Sequence, residues 1–430
     1  MSAAAPSLPG HTSCYGSLEL RAGDPLFAEG SPGREAYLVE TGEVEIYVSR
    51  GGRDLCLARR GPSELIGEIA VIDGGVRSAS ARAATHCRLL VIEAEKLEGR
   101  AGASDPVLQM CLGVVVKRYR HAMAQLQAIT AGVHQDDEAP FAWPATATCD
   151  ADPAFAAAAE TLREEHDLSR GLRADEFALF YQPIVDLRSR RLAGFEALMR
   201  WHHPQRGLVP PGNFIPMAEA GGLIVELTRW ALAEIGRVLP LVLAAERENP
   251  AGTDTLFMTV NISAADLMQD GFPAAVCDTL ANAGIAPARL KVELTESMIM
   301  TDVKHATQTL RVFAQAGIGV AIDDFGTGYS SLSSLASLPI STLKVDRSFV
   351  KSMLHDATHR RIVNTILHLA AELGVPVVAE GIEGEAEAAA LTSLHCEYGQ
   401  GYLFGRPMPQ ADMLATIRSW QPPLTAGETR

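Results

Sequence analysis

Hydrophobic and polar positions follow two rhythms along this chain, and the change between them divides it. In the first hundred residues the rhythm is short. Val44, Ile46 and Val48 alternate with Glu43, Glu45 and Tyr47, the period of a half-buried strand. Turn signals at Gly23-Asp24, Glu29-Gly30, Pro32-Gly33, Gly42 and Gly51-Gly52 cut this segment into short pieces. Repeated strands and turns predict a small all-β barrel or sandwich. Between 105 and 130 the spacing lengthens. Leu108, Leu112, Val115, Tyr119, Ala122, Leu126 and Ile129 recur at alternating steps of four and three. Such a seam suits a helix that pairs with a second copy, or one packed on its own barrel. Residues 131–156 are rich in Ala, Asp, Thr and Pro and hold no period, so they read as a linker. From Phe155 a helical pattern returns through Ala158, Leu162 and His166.

From 157 to 420 apolar runs alternate with helical patterns. The runs are FALFYQPIVDL, RLAGFEALMRW, LFMTVNIS, RLKVELTE, GVAIDDFG, STLKVDRSF, VPVVAEGI and the segment around GQGYLF. Eight strands separated mainly by helices predict a (β/α)8 barrel. The expected organisation is thus a β domain with its helix at 15–130, a linker at 131–156 and a barrel domain at 157–420.

Composition narrows the partners. The formal net charge of −15 argues against a nucleic-acid polymer or an anionic membrane as partner. It permits a small phosphorylated ligand, because a bound metal supplies positive charge locally. Seven cysteines, Cys14, Cys56, Cys87, Cys111, Cys149, Cys277 and Cys396, are scattered without a CxxC pair. Free thiols in a reducing cytosol fit better than disulfides or a zinc cage. No basic stretch followed by an apolar core opens the chain, and no apolar run reaches membrane-spanning length. The expectation is a soluble, cytoplasmic protein without a signal peptide.

Candidate chemistry concentrates at the ends of the barrel runs, where such barrels carry their active sites. Glu196, Asn261, Glu293 with Glu296, Asp323 with Asp324, Lys344 with Asp346, Glu380 and Gln400 each interrupt or end an apolar run. One of them alone could be a satisfied core polar group or a helix cap. A series on successive strands is hard to explain that way. Asp323 and Asp324 sit side by side between an apolar run and the turn Phe325-Gly326-Thr327-Gly328. Adjacent carboxylates repel, and one divalent cation or a pair is the usual reason to tolerate them. The plainer alternative is a strand-to-helix connection with Asp as cap. Carboxylates and an amide without His or Cys suit Mg2+ or Mn2+ rather than zinc. In the first domain, Gly67-Glu68 and Arg77-Ser78 offer a close backbone approach, a carboxylate and a phosphate-binding guanidinium. A structural ion pair between Glu68 and Arg77 is the competing reading.

Two resemblances sharpen these readings. RAGDPLFAEGSPGREAYLVETGEVEIYV resembles the opening strands of cyclic-nucleotide-binding domains, and GEIAVIDGGVRSAS resembles their phosphate-binding cassette. This resemblance implies a β-roll that holds cAMP or cGMP. Glu68 would meet the ribose 2′-hydroxyl, and Arg77, with the backbone near Gly67 and Ser78, would hold the cyclic phosphate. It also implies that the 105–130 helix pairs two subunits. FEALMRW, with its Glu196-Ala197-Leu198 signature, is similar to EAL-domain phosphodiesterases. YQPIVDL, VNIS, ELTES, DDFGTGYSSL, LKVDRSF, AEGIE and GQGYLFGRP resemble that family's successive motifs.

The second resemblance implies hydrolysis of cyclic di-GMP to linear pGpG with two Mg2+ or Mn2+ ions. Glu196, Asn261, Glu293 and Asp323 would ligate one metal, and Asp323 would bridge to a second held with Asp324 and Glu380. Lys344 would contact the attacking water, and Gln400 would help position water or metal. Glu380 carries a second possible role as general base. Gln182, Arg200 and Asp346 would meet the substrate, Arg200 through a phosphate. Glu296 would hold the loop from Phe325 and Gly326 through Thr327. The whole chain then reads as a homodimeric phosphodiesterase regulated by a cyclic mononucleotide, with activation the favoured sign. The alternatives are a non-catalytic nucleotide receptor, and an enzyme whose first domain only dimerises.

Overall fold

The computed structural model describes residues 16–50, 53–73, 76–94, 153–252, 255–326 and 338–422. The seam at 105–130, the linker through 152, and Thr327 and Gly328 lie outside the described residues. The chain divides after Ala174 into two compact units. That break falls later than the expected domain start at 157.

The first unit holds strands β1 (Ser17–Leu20), β2 (Pro25–Phe27), β3 (Glu35–Thr41), β4 (Val44–Arg50), β5 (Arg53–Arg60), β6 (Leu65–Ile66), β7 (Ser80–Ala83) and β8 (Cys87–Glu93). They form two four-stranded sheets, ordered β1-β8-β3-β6 and β2-β7-β4-β5. Alternate residues of both sheets, among them Tyr37, Val39, Val44, Ala81, Ala83 and Leu89, meet in one core. This is the expected all-β domain. A short helix, α1 (Glu68–Asp73), leaves β6, and helix α2 (Pro153–Arg173) closes the unit. Helix α2 starts inside the stretch read as linker.

The second unit is a closed barrel. Its strands are β9 (Phe177–Asp186), β10 (Leu192–His203), β12 (Phe257–Asn261), β13 (Leu290–Thr295), β14 (Gly319–Phe325), β15 (Thr342–Val345), β16 (Val377–Ala379) and β17 (Tyr398–Gln400). A short β11 (Gly207–Val209) hangs on β10. Strands β10 to β17 pair in parallel in the order β10-β12-β13-β14-β15-β16-β17, and β9 closes the circle antiparallel to both β17 and β10. Within this expected (β/α)8-type barrel, β9 alone of the eight barrel strands runs against its neighbours. Five residues, 187–191, join β9 to β10, with Arg190 at φ +56° and Asp186 accepting from the Ser189 amide at 2.6 Å. A connection that short permits only an antiparallel pair, since a parallel crossover needs a dozen residues or more.

Helices α3 (Pro211–Ala220), α4 (Ile224–Glu248), α5 (Ala264–Leu267), α6 (Phe272–Asn282), α7 (Glu296–Thr301), α8 (Val303–Ala316), α9 (Arg347–Ser352), α10 (Ala357–Leu373), α11 (Glu385–Ser393) and α12 (Gln410–Ser419) follow the other strands. In α4 (Ile224–Glu248), Leu227, Ala231, Ile235, Val238 and Val242 are buried, the stripe of a helix packed on one face. Helix α8 (Val303–Ala316) starts on Asp302, whose carboxylate accepts from the His305 amide, and stops at Gly317 with φ +82°, a conformation that favours glycine. Phe195, Ala197, Met258, Val260, Val292, Leu294, Val320, Ile322, Leu343 and Val345 join the core shared with the helices. Because strand side chains alternate, Glu196, Asn261, Glu293, Asp323 and Lys344 turn the other way, into the barrel. No described helix is long and apolar enough to cross a membrane.

Candidate active site

Lys344 stands at the centre of the barrel mouth, 1% exposed. Its Nζ lies 2.6 Å from Glu380 Oε1, 2.7 Å from Glu293 Oε2, 3.2 Å from Asp323 Oδ1 and 3.5 Å from Glu196 Oε2. Register brings these groups together. Asn261 on β12 sits opposite Glu293 on β13, and Thr295 opposite Asp323 on β14, so successive strands present polar ends at nearly one level. Asn261 Nδ2 donates to Glu196 Oε1 at 2.9 Å, and Gln400 Nε2 donates to Glu196 Oε2 at 2.6 Å.

The Asp pair depends on an irregularity. Neighbouring residues of a strand face opposite sides, so a regular β14 would aim only one of the two carboxylates at the mouth. The β14–β15 register shifts between Ile322 and Phe325, and Asp324 has φ +53°. A bulge re-aims side chains in this way, and left-handed backbone at a non-glycine residue is strain that clusters at functional sites. The Asp324 amide donates to Asp323 Oδ1 at 3.0 Å and fixes the turn.

Two triads result, Glu196-Glu293-Asp323 and Asp323-Asp324-Glu380, each with carboxylate oxygens within 4.8 Å of one another. Asp323 belongs to both. Four carboxylates ring one ammonium, so the cluster is short of positive charge and must hold protons or cations. Burial, reinforced by Glu196 and Asp323, pushes Glu293 well above the usual carboxylate range. Burial also raises Glu380 to about 8, with Asp323 and Glu196 adding to the shift. Asp324 rises to about 6 through burial, Asp323 and Asp346. Glu196 goes the other way: burial opposes its charge, but Lys344, Gln400 and Asn261 hold it below the ordinary value. Burial likewise opposes the Lys344 charge, and the carboxylates around it overcome that and keep it protonated. An all-oxygen donor set that retains protons in this way fits hard divalent cations such as Mg2+ or Mn2+.

The sign of a pH effect follows. Glu380 keeps its proton through neutral pH and Asp324 keeps its own up to about pH 6, and a cation must displace them. Mn2+ binding is therefore expected to release protons between about pH 6 and 8, with affinity rising with pH. Calorimetry in buffers of different ionisation enthalpy measures the release. Identical enthalpies in all buffers would contradict it.

Above the cluster lies a cavity of about 560 Å³, within the usual range of ligand pockets. Gln182, Arg200, Asp346, Glu380 and Gln400 line it. So do Arg347, Glu383 and Tyr402, which the sequence reading passed over although each directly follows a singled-out motif residue or stands two or three positions beyond one. Arg200 donates to the Met199 carbonyl at 2.8 Å and stacks over Phe180 at 5.6 Å. Asp346 caps helix α9 (Arg347–Ser352) by accepting from the Ser348 amide at 3.0 Å and from its hydroxyl. Gln182 is tied to Gln400 (3.0 Å) and to the Gly405 carbonyl (3.2 Å). Glu296 is buried at the start of helix α7 (Glu296–Thr301), Phe325 is buried and Gly326 exposed. The loop they were expected to shape continues at Thr327, outside the described residues.

The first unit has a cavity of its own, about 290 Å³, lined by Phe27, Leu65, Gly67, Glu68, Ile69, Arg77 and Ser78 among others. Glu68 and Arg77 are buried, at 1% and 5% exposure. Arg77 Nη1 donates to the Gly67 carbonyl at 3.0 Å, and its guanidinium lies 4.3 Å from the Phe27 ring centre. Gly67, at φ +78°, is required twice over, since a Cβ there would come within 2.3 Å of Arg77 Nη1. Phe27 and Gly33, whose Cβ would stand 2.9 Å from Arg77 Nε, belong to this arrangement and carried no signal of it in the sequence.

Comparison with known proteins gives two family matches. The EAL domain model matches residues 165–407, and the cyclic nucleotide-binding domain model matches 17–100. The bifunctional diguanylate cyclase/cyclic di-GMP phosphodiesterase MucR of Pseudomonas aeruginosa is 41% identical over 260 residues, 60% of this chain and 37% of MucR. The chain thus spans little more than a third of that relative. Among solved structures, the EAL enzyme Bd1971 with cGMP bound superposes with a TM-score of 0.63 at 32% identity, covering 94% of this chain and all of that one. The same enzyme has been solved with cAMP and cyclic di-GMP together, with a TM-score of 0.62, 31% identity and the same coverage. The P. aeruginosa MucR phosphodiesterase in complex with cyclic di-GMP gives a TM-score of 0.55 at 40% identity, over 58% of this chain and 99% of that one.

Proposed function

The chain belongs to the EAL-domain family and carries a cyclic nucleotide-binding domain ahead of its barrel, and from that premise we propose that it hydrolyses cyclic di-GMP to linear pGpG under the control of cAMP or cGMP. The observation that supports this most is the pair of carboxylate triads sharing Asp323 around Lys344, beneath a cavity walled by Arg200. Cyclic di-GMP carries two phosphodiesters in one ring. Hydrolysis forms one bond from water oxygen to phosphorus and breaks one bond from phosphorus to a 3′ oxygen. That oxygen leaves as a hydroxyl, and the 5′ side keeps the phosphate.

Glu196, Asn261, Glu293 and Asp323 would hold one Mg2+ or Mn2+, and Asp323, Asp324 and Glu380 a second. When bound, such a pair supplies Lewis acidity and a water of lowered pKa. The residues of the chain do the rest. Lys344 is locked by its carboxylate partners, so its ammonium meets the attacking water and the phosphoryl charge without reorganising. Arg200 takes a phosphate oxygen. Glu380 serves as a ligand or receives the proton of the water, and Gln400 keeps Glu196 oriented. Asp346 stands at the substrate side, and Glu296 with Phe325, Gly326 and Thr327 shapes the neighbouring loop.

In the first domain Arg77 holds the cyclic phosphate, Glu68 the ribose hydroxyl, and the backbone near Gly67 and Ser78 completes the cradle. Bound nucleotide shifts the barrel by preferring one of two states, through a dimer paired along 105–130, in the cytoplasm, with activation as the sign. A charged hydrogen-bonding pair lost from a buried site costs about 2–3 kcal/mol. Arg77→Ala is therefore expected to weaken cAMP and cGMP binding by about 100-fold while the domain stays folded. Calorimetry checks this, and unchanged affinity would remove Arg77 from the site.

The test of the activity is direct. The full chain with Mn2+ should convert cyclic di-GMP to pGpG, seen by chromatography, and EDTA or Glu196→Ala should stop it. A folded, Mn2+-loaded protein that forms no product would overturn the proposal.

A further inference from the structure

Glu196 Oε2 ends a directed chain of amides. Gln400 Nε2 donates to Glu196 Oε2 at 2.6 Å and to Gln182 Oε1 at 3.0 Å, and Gln182 Nε2 donates to the Gly405 carbonyl at 3.2 Å. A carboxylate and a backbone carbonyl only accept. With an acceptor at each end, neither amide can flip without setting oxygen against oxygen. All three side chains are more than nine-tenths buried: Gln182 at 9% exposure, Gln400 at 4% and Glu196 at 5%. Gln400 spends both amide hydrogens in this chain, while its Oε1 is buried without a hydrogen-bond partner. The Gln400 amide is therefore aimed by its two acceptors, Glu196 Oε2 and Gln182 Oε1.

The anchor at the far end is stiff. The segment carrying Gly405 is stitched to β9 by Tyr181 and Met408, which exchange both backbone hydrogen bonds at 2.8 and 3.0 Å. A Cβ on Gly405 would meet Pro183 at 2.8 Å, so this backbone lies directly against the strand. We propose that Gln182 is a positioning residue for the metal site. It fixes Gln400 and through it the rotamer of Glu196, and it transmits the placement of the 401–408 segment to that carboxylate. This rests on the metal-dependent reading above and differs from the substrate-contact role expected for Gln182. Loss of a hydrogen bond behind a metal ligand costs about 10- to 100-fold in metal affinity or activity.

Gln182→Met keeps the bulk and removes both hydrogen bonds. Titration of the full chain with Mn2+ should show at least about 10-fold weaker binding. If cyclic di-GMP is the substrate, kcat should fall with KM within about twofold. Gln400→Met should do the same, and the double variant should lose no more than the worse single one, because both cut one chain. Near-wild-type Mn2+ affinity in folded Gln182→Met, or losses that add in the double variant, would overturn the proposal, as would a raised KM with unchanged Mn2+ binding. The Mn2+ titration needs no turnover, so it decides the role of Gln182 even if cyclic di-GMP proves not to be hydrolysed.

Discussion

Lys344→Met should both silence the barrel and destabilise it, and the destabilisation should vanish when metal is present. The ammonium is fully buried and reaches Glu196, Glu293, Asp323 and Glu380 within 3.5 Å. Methionine keeps the length of the side chain and removes the only cation in contact with that ring among the described residues. Breaking a buried charge cluster by deleting one partner costs about 3–5 kcal/mol. The sign with pH is fixed by the partners. Near pH 5 Glu380, raised to about 8, holds its proton, and the loss should be small. As pH climbs towards 8 Glu380 ionises beside the other carboxylates of the ring and the loss grows. Mn2+ replaces the missing charge and should stabilise the variant more than the wild type. Turnover should fall by about a thousandfold, the scale of removing one fixed charge-stabilising group. Thermal melts in EDTA and in Mn2+ at two pH values, with single-point assays, measure all of this. A variant as stable as wild type in EDTA at pH 8 would show that Lys344 is not the internal counter-ion.

Asp323→Asn should give the opposite pairing of effects. Asp323 belongs to both triads, and asparagine has its shape without its charge. The metal-free fold loses one contact to Lys344 at 3.2 Å and one source of repulsion for Glu293, Asp324 and Glu380. These offset each other, so stability in EDTA should move by less than about 1 kcal/mol. Metal binding should lose both sites together, and turnover should drop by about a thousandfold or more, since Asp323 is the carboxylate that would serve both triads. Retention of one full-affinity Mn2+ site would contradict the bridging role. Silent but stable Asp323→Asn beside silent and unstable Lys344→Met would separate the metal's needs from the fold's.

The ring of polar strand ends was legible because chemistry overrode pattern. A carboxylate or lysine at the end of an apolar run has no use in a core, and the period of two then places it inside the barrel. Glu196, Glu293, Asp323 and Lys344 announced themselves in this way. The closing antiparallel strand was less legible, because FALFYQPIVDL carries the same apolar content in either direction. Only the five-residue connection 187–191 sets its sense. The bulge that turns Asp323 and Asp324 to one side left no mark beyond the doubled Asp. Arg77 and Glu68 stood out by motif, whereas Phe27 and Gly33 came to lie against Arg77 only through contacts between segments far apart in sequence. Gln182 was found by motif, but a motif holds no direction of hydrogen bonds, and its tie to Gln400 and Gly405 emerged from geometry alone.

The central claim joins the two domains: a barrel that opens cyclic di-GMP, set by a mononucleotide held in the β domain. Its most direct test is the rate of pGpG formation by the full chain in Mn2+, measured without effector, with cAMP and with cGMP, beside Arg77→Ala under the same three conditions. The account expects turnover in the wild type that rises with at least one mononucleotide, and a variant that turns over at the basal rate and ignores both. No pGpG from folded, metal-loaded protein under any condition would contradict the account, and so would a nucleotide response that Arg77→Ala keeps in full.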